Sequence, residues 1–312
     1  MPFRSPLVRC RIATLLAALA LGTAALAQSM AVSAQSSTPP PQPRASLAPN
    51  ELTYADLVDL ADLAPVVVRV EVREAVTLKP ERAGLALINP VRPGFARVYI
   101  KGRTKALLFG AGLGVQGLGE SVGYLADVAL DPKGRVPKLK KREMLVFAQP
   151  VAGRPGELRL VAPDAQQPWS PELDDRTLAV LTELVAPGAA PRVVGVREAM
   201  HVRGTLLDEG ESQIFLATER GDTVSVTVLR RPGAAPAWGV ALGEIVDQAA
   251  RPPLRDTLTW YRLACFLPGA IPPATVLSGT DADRRQAAED YRYVREQLGP
   301  CPRTRPAEWR RR

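Results

Sequence analysis

The chain has 312 residues, 46% of them hydrophobic, which is enough for one or two globular domains with ordinary cores. Its 40 basic and 32 acidic residues give a formal net charge of +8. Most of this excess lies at the two ends, since the first 27 residues hold three arginines and no acid, and the last ten hold five arginines and one glutamate. The nearly neutral centre argues against a nucleic-acid-binding protein, which would concentrate positive charge on its folded surface.

The first 27 residues have the order of features that is typical of a secretory signal peptide. Three arginines precede a short apolar run over residues 12–21, and Ala25 and Ala27 form an A-x-A cleavage site. The apolar run is too short to span a membrane, and no later segment reaches the required length. We therefore predict a periplasmic or secreted protein with no transmembrane segment after cleavage.

Changes in composition divide the mature chain. Residues 28–50 are rich in proline and have no apolar pattern, which predicts a disordered tether. We expect one domain over 51–186, a second over 191–302, and a basic disordered tail over 303–312.

The first domain begins with a helix and continues with strands. Thr53 can cap the helix together with Asp56, three residues on. Valines at 66, 68, 70 and 72 then alternate with Val67, Arg69, Glu71 and Arg73, which predicts a strand with one buried and one wet face. Turn residues separate the predicted strands and the closing helix, which cover 66–73, 96–109, 121–130, 143–149, 157–161 and 171–185. Five antiparallel strands after a helix predict an OB-like antiparallel barrel or sandwich, an analogy of fold that implies no function.

Three aspartates of the first helix, Asp56, Asp59 and Asp62, are spaced to share one face. A metal site would use such carboxylates, but no calcium-loop pattern surrounds them. We expect a solvated helix face.

The second domain is predicted to combine an antiparallel sheet with two helices. Strand candidates cover 192–202, 212–218, 223–230 and 238–245. Apolar residues at helical spacing follow in two segments, first Leu254, Leu258, Tyr261 and Cys265, then Ala287, Tyr291, Val294 and Leu298. The fold class of the whole chain is therefore expected to be α+β.

Cys265 and Cys301 are the cysteines that remain after signal cleavage. Export favours a disulfide between them, and two helices on one core would bring them together. The alternative is two free thiols, one of them catalytic. Together with a single histidine they supply too few ligands for a zinc site of histidine and cysteine, and we predict no metal and no cofactor.

Five segments resemble uncharacterised exported proteins of Gram-negative bacteria. They are Tyr54–Asp62, Leu160–Ala165, Gln213–Thr218, Trp238–Asp247 and Trp260–Pro268, and the likeness covers roughly residues 50 to 302. The resemblance implies export and a two-domain layout, and it assigns no activity or site residue.

Residues Gly119–Gly123 match the G-x-S-x-G motif of serine hydrolases, with Ser121 as the nucleophile. His201 would be the base, and Asp164 or Asp174 would orient it. The motif requires a strand, a sharp turn and a helix, whereas a strand pattern follows Ser121 here. An exported serine hydrolase is therefore kept as the alternative function.

A dense basic segment is the candidate anion-binding site. It contains Lys133, Arg135, Lys138, Lys140, Lys141 and Arg142 with no acidic residue between them. Such a segment could bind an anionic envelope component, such as lipid head groups or a cell-wall polymer, and its alternative is a solvated loop. Our leading expectation is an exported, non-catalytic periplasmic binding or envelope-associated protein whose ligand the sequence does not identify.

Overall fold

The structure, a computed structural model, describes residues 51–78, 91–111, 113, 117–243 and 250–305. The predicted signal peptide and tether lie outside the described residues, as does 306–312 of the predicted tail. The architecture is mixed α+β, with a closed β-barrel, a second antiparallel sheet and four α-helices in the described part.

Two helices flank the barrel at the predicted places. Helix α1, Tyr54–Ala61, begins with the expected capping box, in which Thr53 Oγ1 accepts from Asp56 N at 3.1 Å and the Asp56 carboxylate accepts from Thr53 N at 3.2 Å. Helix α2, Pro171–Val185, begins after Ser170, whose hydroxyl accepts from Leu173 N.

Five strands close the barrel, and a sixth extends it. They are β1 Val66–Thr77, β2 Phe95–Gly110, β3 Ser121–Ala129, β4 Glu143–Pro150, β5 Glu157–Leu160 and β6 Gln166–Pro168. The order is β1-β2-β3-β5-β4, and β1 also pairs with β4, which closes the ring, while β6 pairs with β4. The five predicted strands are confirmed, although β1 is longer than expected.

The predicted all-antiparallel barrel is wrong at one pair, because β3 and β5 run parallel. A closed ring of five strands cannot alternate in direction all the way round, so one neighbouring pair must be parallel. That pair is short and joins Gly123–Leu125 with Glu157–Arg159.

The prediction that one face of β1 is exposed to solvent is also wrong for the first residues of the strand. Val66, Val68 and Val70 fill the barrel interior as predicted, but Val67 on the opposite face is fully buried as well. It belongs to a hydrophobic core that includes residues of α1, of the barrel and of the second sheet.

The second sheet has four antiparallel strands in sequential order, followed by two helices. They are β7 Val193–Arg203, β8 Gly210–Thr218, β9 Val224–Arg230, β10 Ala237–Leu242, α3 Leu258–Ala264 and α4 Asp281–Leu298. Leu254, predicted to start the stripe of α3, precedes the helix and is 78% exposed, because Thr257 caps α3 at Leu258.

Cys265 and Cys301 form a disulfide, with 5.2 Å between their Cα atoms. Cys265 ends α3 and Cys301 follows α4, so the bond joins the two helices as predicted, and the free-thiol alternative is wrong.

The disordered tail predicted from residue 303 is wrong for its first three residues. Arg303 Nε donates to Asp59 Oδ2 at 2.8 Å, and Arg305 donates to both carboxylate oxygens of Asp164 at 2.7 Å. The side chain of Arg305 is 2% exposed. Buried carboxylates order this part of the chain because a buried anion is stable only when it is paired.

We expect replacement of both cysteines by alanine, Cys265→Ala with Cys301→Ala, to lower the free energy of unfolding by about 4 kcal/mol, since the bond closes a loop of 36 residues in the unfolded chain. Urea unfolding of the variant and of the oxidised wild type measures the difference. Equal midpoints would contradict the prediction.

Candidate functional site

A groove of about 670 Å³ lies along the seam between β3 and β5, on the outer surface of the barrel. Leu125 of β3 and Leu158 and Leu160 of β5 contribute apolar surface to it. The parallel pairing of β3 with β5 ends at Leu125 and Arg159, so the wall of the barrel opens beyond that point.

Four arginines surround the groove, and its two carboxylates are already engaged. The arginines are Arg92, Arg97, Arg154 and Arg159. Asp127 accepts two hydrogen bonds from Arg97, at 2.8 and 2.9 Å, and this pair holds the pKa of Arg97 above its ordinary value. Glu157 accepts from the hydroxyl of Tyr99 at 2.7 Å, and this hydrogen bond raises the pKa of the tyrosine.

Two of the four arginines are exposed to solvent. Arg154 lies in the β4–β5 turn and Arg159 on β5, and both are exposed. In the amide orientation that satisfies both partners, the Gln149 oxygen accepts from Arg159 Nε at 3.0 Å, which holds this side chain beside the groove. With four guanidinium groups and two paired carboxylates, the lining of the groove has an excess of positive charge.

Gly123 permits the Tyr99–Glu157 hydrogen bond to cross β3. A Cβ atom at this position would lie 2.4 Å from the Tyr99 hydroxyl oxygen and 2.7 Å from Glu157 Oε1. The second glycine of the G-x-S-x-G pattern thus has a packing reason that is independent of catalysis.

We expect Gly123→Ala to lower the free energy of unfolding by about 1–3 kcal/mol, because the new methyl group overlaps the Tyr99 hydroxyl. Adding Tyr99→Phe removes that hydroxyl and frees Glu157 to move, so the double variant should lose less than the sum of the single losses. Urea unfolding of the four proteins measures the coupling, and strictly additive losses would contradict the predicted contact.

The structure gives His201 partners other than Ser121. His201 Nδ1 lies 2.9 Å from the hydroxyl oxygen of Ser212, and that hydroxyl donates to Asp290 Oδ2 at 2.5 Å. Ser121 begins β3 and pairs with Arg103 of β2, and no helix follows it. Of the predicted orienting residues, Asp164 binds Arg305 and Asp174 accepts from the Trp169 indole.

In a catalytic triad the histidine accepts the proton of the serine hydroxyl. In this buried group of Ser212, His201 and Asp290, the hydrogen bonds run the other way. The Ser212 hydroxyl uses its hydrogen for Asp290, so it accepts a hydrogen bond from His201 Nδ1 and is not deprotonated by it. Ser212 and Asp290 are fully buried, and Arg230 Nε donates to Asp290 at 2.6 Å. The network holds α4 against the second sheet.

Burial lowers the pKa of His201 below its ordinary value, although Asp290 and Asp283 favour the charged form. The folded protein then binds this proton less tightly than the unfolded chain, so the free energy of unfolding falls as the pH drops through about 6.5. Between pH 7.5 and 5.5 we therefore expect the free energy of unfolding to decrease. His201→Asn, which removes the single histidine of the chain, should flatten this dependence in urea unfolding. An equal slope in both proteins would contradict the assignment.

The predicted anion-binding segment forms the loop between β3 and β4. All six side chains, of Lys133, Arg135, Lys138, Lys140, Lys141 and Arg142, are exposed. Buried Leu139 anchors the loop, and Arg135 pairs with Asp131 at 3.2 Å. The charges lie on an exposed loop, and the segment remains a predicted anion-binding site.

The solvated face predicted for the α1 aspartates is wrong. Asp56 is fully buried and Asp59 is 9% exposed. Burial alone would raise the pKa of Asp56, but hydrogen bonds from Thr304 and Thr53 outweigh it, and the net pKa lies below the ordinary value. Asp62 pairs with Arg192 and Arg262, at 2.8 and 2.9 Å.

The pairs that Asp56 and Asp62 form with Thr304, Arg192 and Arg262 join positions more than a hundred residues apart, so no local pattern identifies them. Within the described residues, no group of three or more histidine, cysteine or acidic side chains is placed to hold a metal ion.

No protein-family model matches the sequence, and no curated protein matches it either. Across the part of the chain that the structure covers, none of the helices combines the length and apolar character needed to cross a membrane.

Proposed function

We propose that this chain is an exported, non-catalytic binding protein of the bacterial envelope, and that the groove along β3 and β5 binds an anionic ligand. The observation that carries the proposal is the groove itself, in which exposed Arg154 and Arg159 stand beside an apolar surface while Asp127 and Glu157 are already paired. An extended anion would gain charge contacts there without repulsion from a free carboxylate.

The strand order supports an OB-like interpretation of the barrel. OB folds bind polymers on the face of strands 2 and 3 and at the loop between strands 4 and 5. Here Arg97 and Tyr99 of β2, Leu125 of β3 and Arg154 of the β4–β5 turn line one groove. This support is an analogy of fold and is weaker than the charge arrangement.

Two further features support export and a binding role. The N-terminal pattern is that of a signal peptide, and the disulfide is compatible with an oxidising compartment. The non-catalytic assignment is preferred over a hydrolase that uses Ser121 and His201, because His201 Nδ1 bonds to Ser212 and no helix follows Ser121 in the described chain.

The proposal predicts that the mature protein sediments with isolated Gram-negative cell envelopes, and that Arg154→Glu combined with Arg159→Glu abolishes this binding. The contacts are exposed, so binding should weaken between 0.1 M and 1 M salt, as the Debye length falls from about 10 Å to about 3 Å.

The matched control is Lys138→Glu with Lys140→Glu and Lys141→Glu, which reverses charge on the β3–β4 loop and should leave binding intact. If the loop variant loses binding and the groove variant keeps it, the basic segment is the site and the groove assignment is wrong. Labelling by a fluorophosphonate that disappears in Ser121→Ala would overturn the non-catalytic assignment.

A further inference from the structure

We propose that the ligand of the groove is an extended acidic peptide, which pairs as an added strand with the open edge of β3. This inference deepens the proposed function and rests on it. It follows from the direction of the backbone hydrogen bonds in β3 and from the charge beside that edge.

Backbone groups of alternate residues in β3 point to opposite neighbours. Leu130 N, just beyond the strand, donates to Gly94 O at 2.8 Å, so even-numbered residues point their N–H and C=O groups toward β2. Gly123 N donates to Gly156 O at 2.8 Å, so odd-numbered residues point toward β5.

Beyond the seam these odd-numbered groups lack a strand partner. Pairing between β3 and β5 ends at Leu125 and Arg159, while β3 continues to Ala129. The N–H and C=O groups of Asp127, which lines the groove, and of Ala129 therefore point to the β5 side of β3, and no strand in the described part of the chain pairs with them on that side. This is the open edge of β3.

On the opposite wall of the groove, too, the backbone groups of alternate residues point to opposite neighbours. Val161 N donates to Phe147 O at 3.1 Å, so odd-numbered residues on this side point toward β4. The even-numbered Leu160 then points its backbone toward β3, with its N–H in the last rung of the seam and its carbonyl just beyond that rung. A strand entering the groove meets backbone donors and acceptors on the β3 side and a carbonyl on the β5 side.

Backbone pairing of this kind selects a peptide, because strand addition uses main-chain N–H and C=O groups of the ligand. The side chains of an added strand alternate between the two faces of the sheet. Those on the outer face approach the exposed Arg154 and Arg159, which favours carboxylates at every second position. Those on the inner face meet apolar side chains such as Leu158 and Leu160.

The test uses the mature protein and a short capped peptide in which glutamate and valine alternate. We expect fluorescence anisotropy to show binding, and amide hydrogen exchange of Asp127 and Ala129 to slow in the complex. Methylation of the peptide nitrogens on one edge removes its donors and keeps its charge, so affinity should fall about tenfold or more.

A protein variant tests the same edge from the other side. Ala129→Pro removes one N–H donor, and proline is tolerated where that N–H faces away from the ladder. We expect this variant to bind the peptide about fivefold more weakly, for the loss of one hydrogen bond, while Ala129→Ser binds as the wild type does. If Ala129→Pro does not fold, the N-methylated peptide on the wild type decides the question.

The outcomes separate this inference from the function on which it rests. Equal affinity for the peptide and its N-methylated form, with envelope binding lost in the Arg154 and Arg159 variant, overturns strand addition and leaves the proposed function standing. A sulfated oligosaccharide that binds the groove more tightly than the peptide overturns it in the same way. Unchanged envelope binding in the Arg154 and Arg159 variant overturns the proposed function itself.

Discussion

Closure of the barrel with an odd number of strands is the constraint on which the candidate site depends. Each strand from β1 to β5 reverses direction, so β3 and β5, which are neighbours in the ring, point the same way and must pair in parallel. The β4–β5 hairpin positions a strand of four residues against one of nine. The shorter strand cannot cover the longer one, and the uncovered part of β3 forms one side of the groove.

Residues 303–305 are held to helix α1 by a second constraint, the burial of the helix carboxylates. Asp56 completes the capping box of α1 and also accepts from Thr304 N at 2.8 Å. Asp59 accepts from Arg303 and from the hydroxyl of Tyr261 on α3. Loss of one partner would leave a buried charge without compensation, which costs far more than an exposed pair. The disulfide fixes Cys301 two residues before Arg303, so it delivers the C-terminal segment to these carboxylates.

The helices, the cap of α1 and all strands except β6 could be predicted because their signals are local. Alternating valines identify β1, Thr53 and Asp56 identify the start of α1, and apolar spacing with export identifies the disulfide. The groove could not be predicted, because the parallel seam follows from closure of the ring and not from any segment. The burial of Asp56 and Asp59 could not be predicted either, because Thr304 and Tyr261, which bond to them in the folded protein, lie more than 200 residues away in the sequence.

An open strand edge is usually a liability, because it can template aggregation with another chain. In this protein the edge is confined to Asp127 and Ala129, and the Arg97–Asp127 ion pair stands on its outer face. For two copies of the barrel to associate edge to edge, the arginines beside their grooves would have to approach one another. Repulsion between these like charges opposes such association. A single extended chain meets no such obstacle when it carries negative charge. The features that protect the edge from self-association are therefore the same ones that would select an acidic peptide.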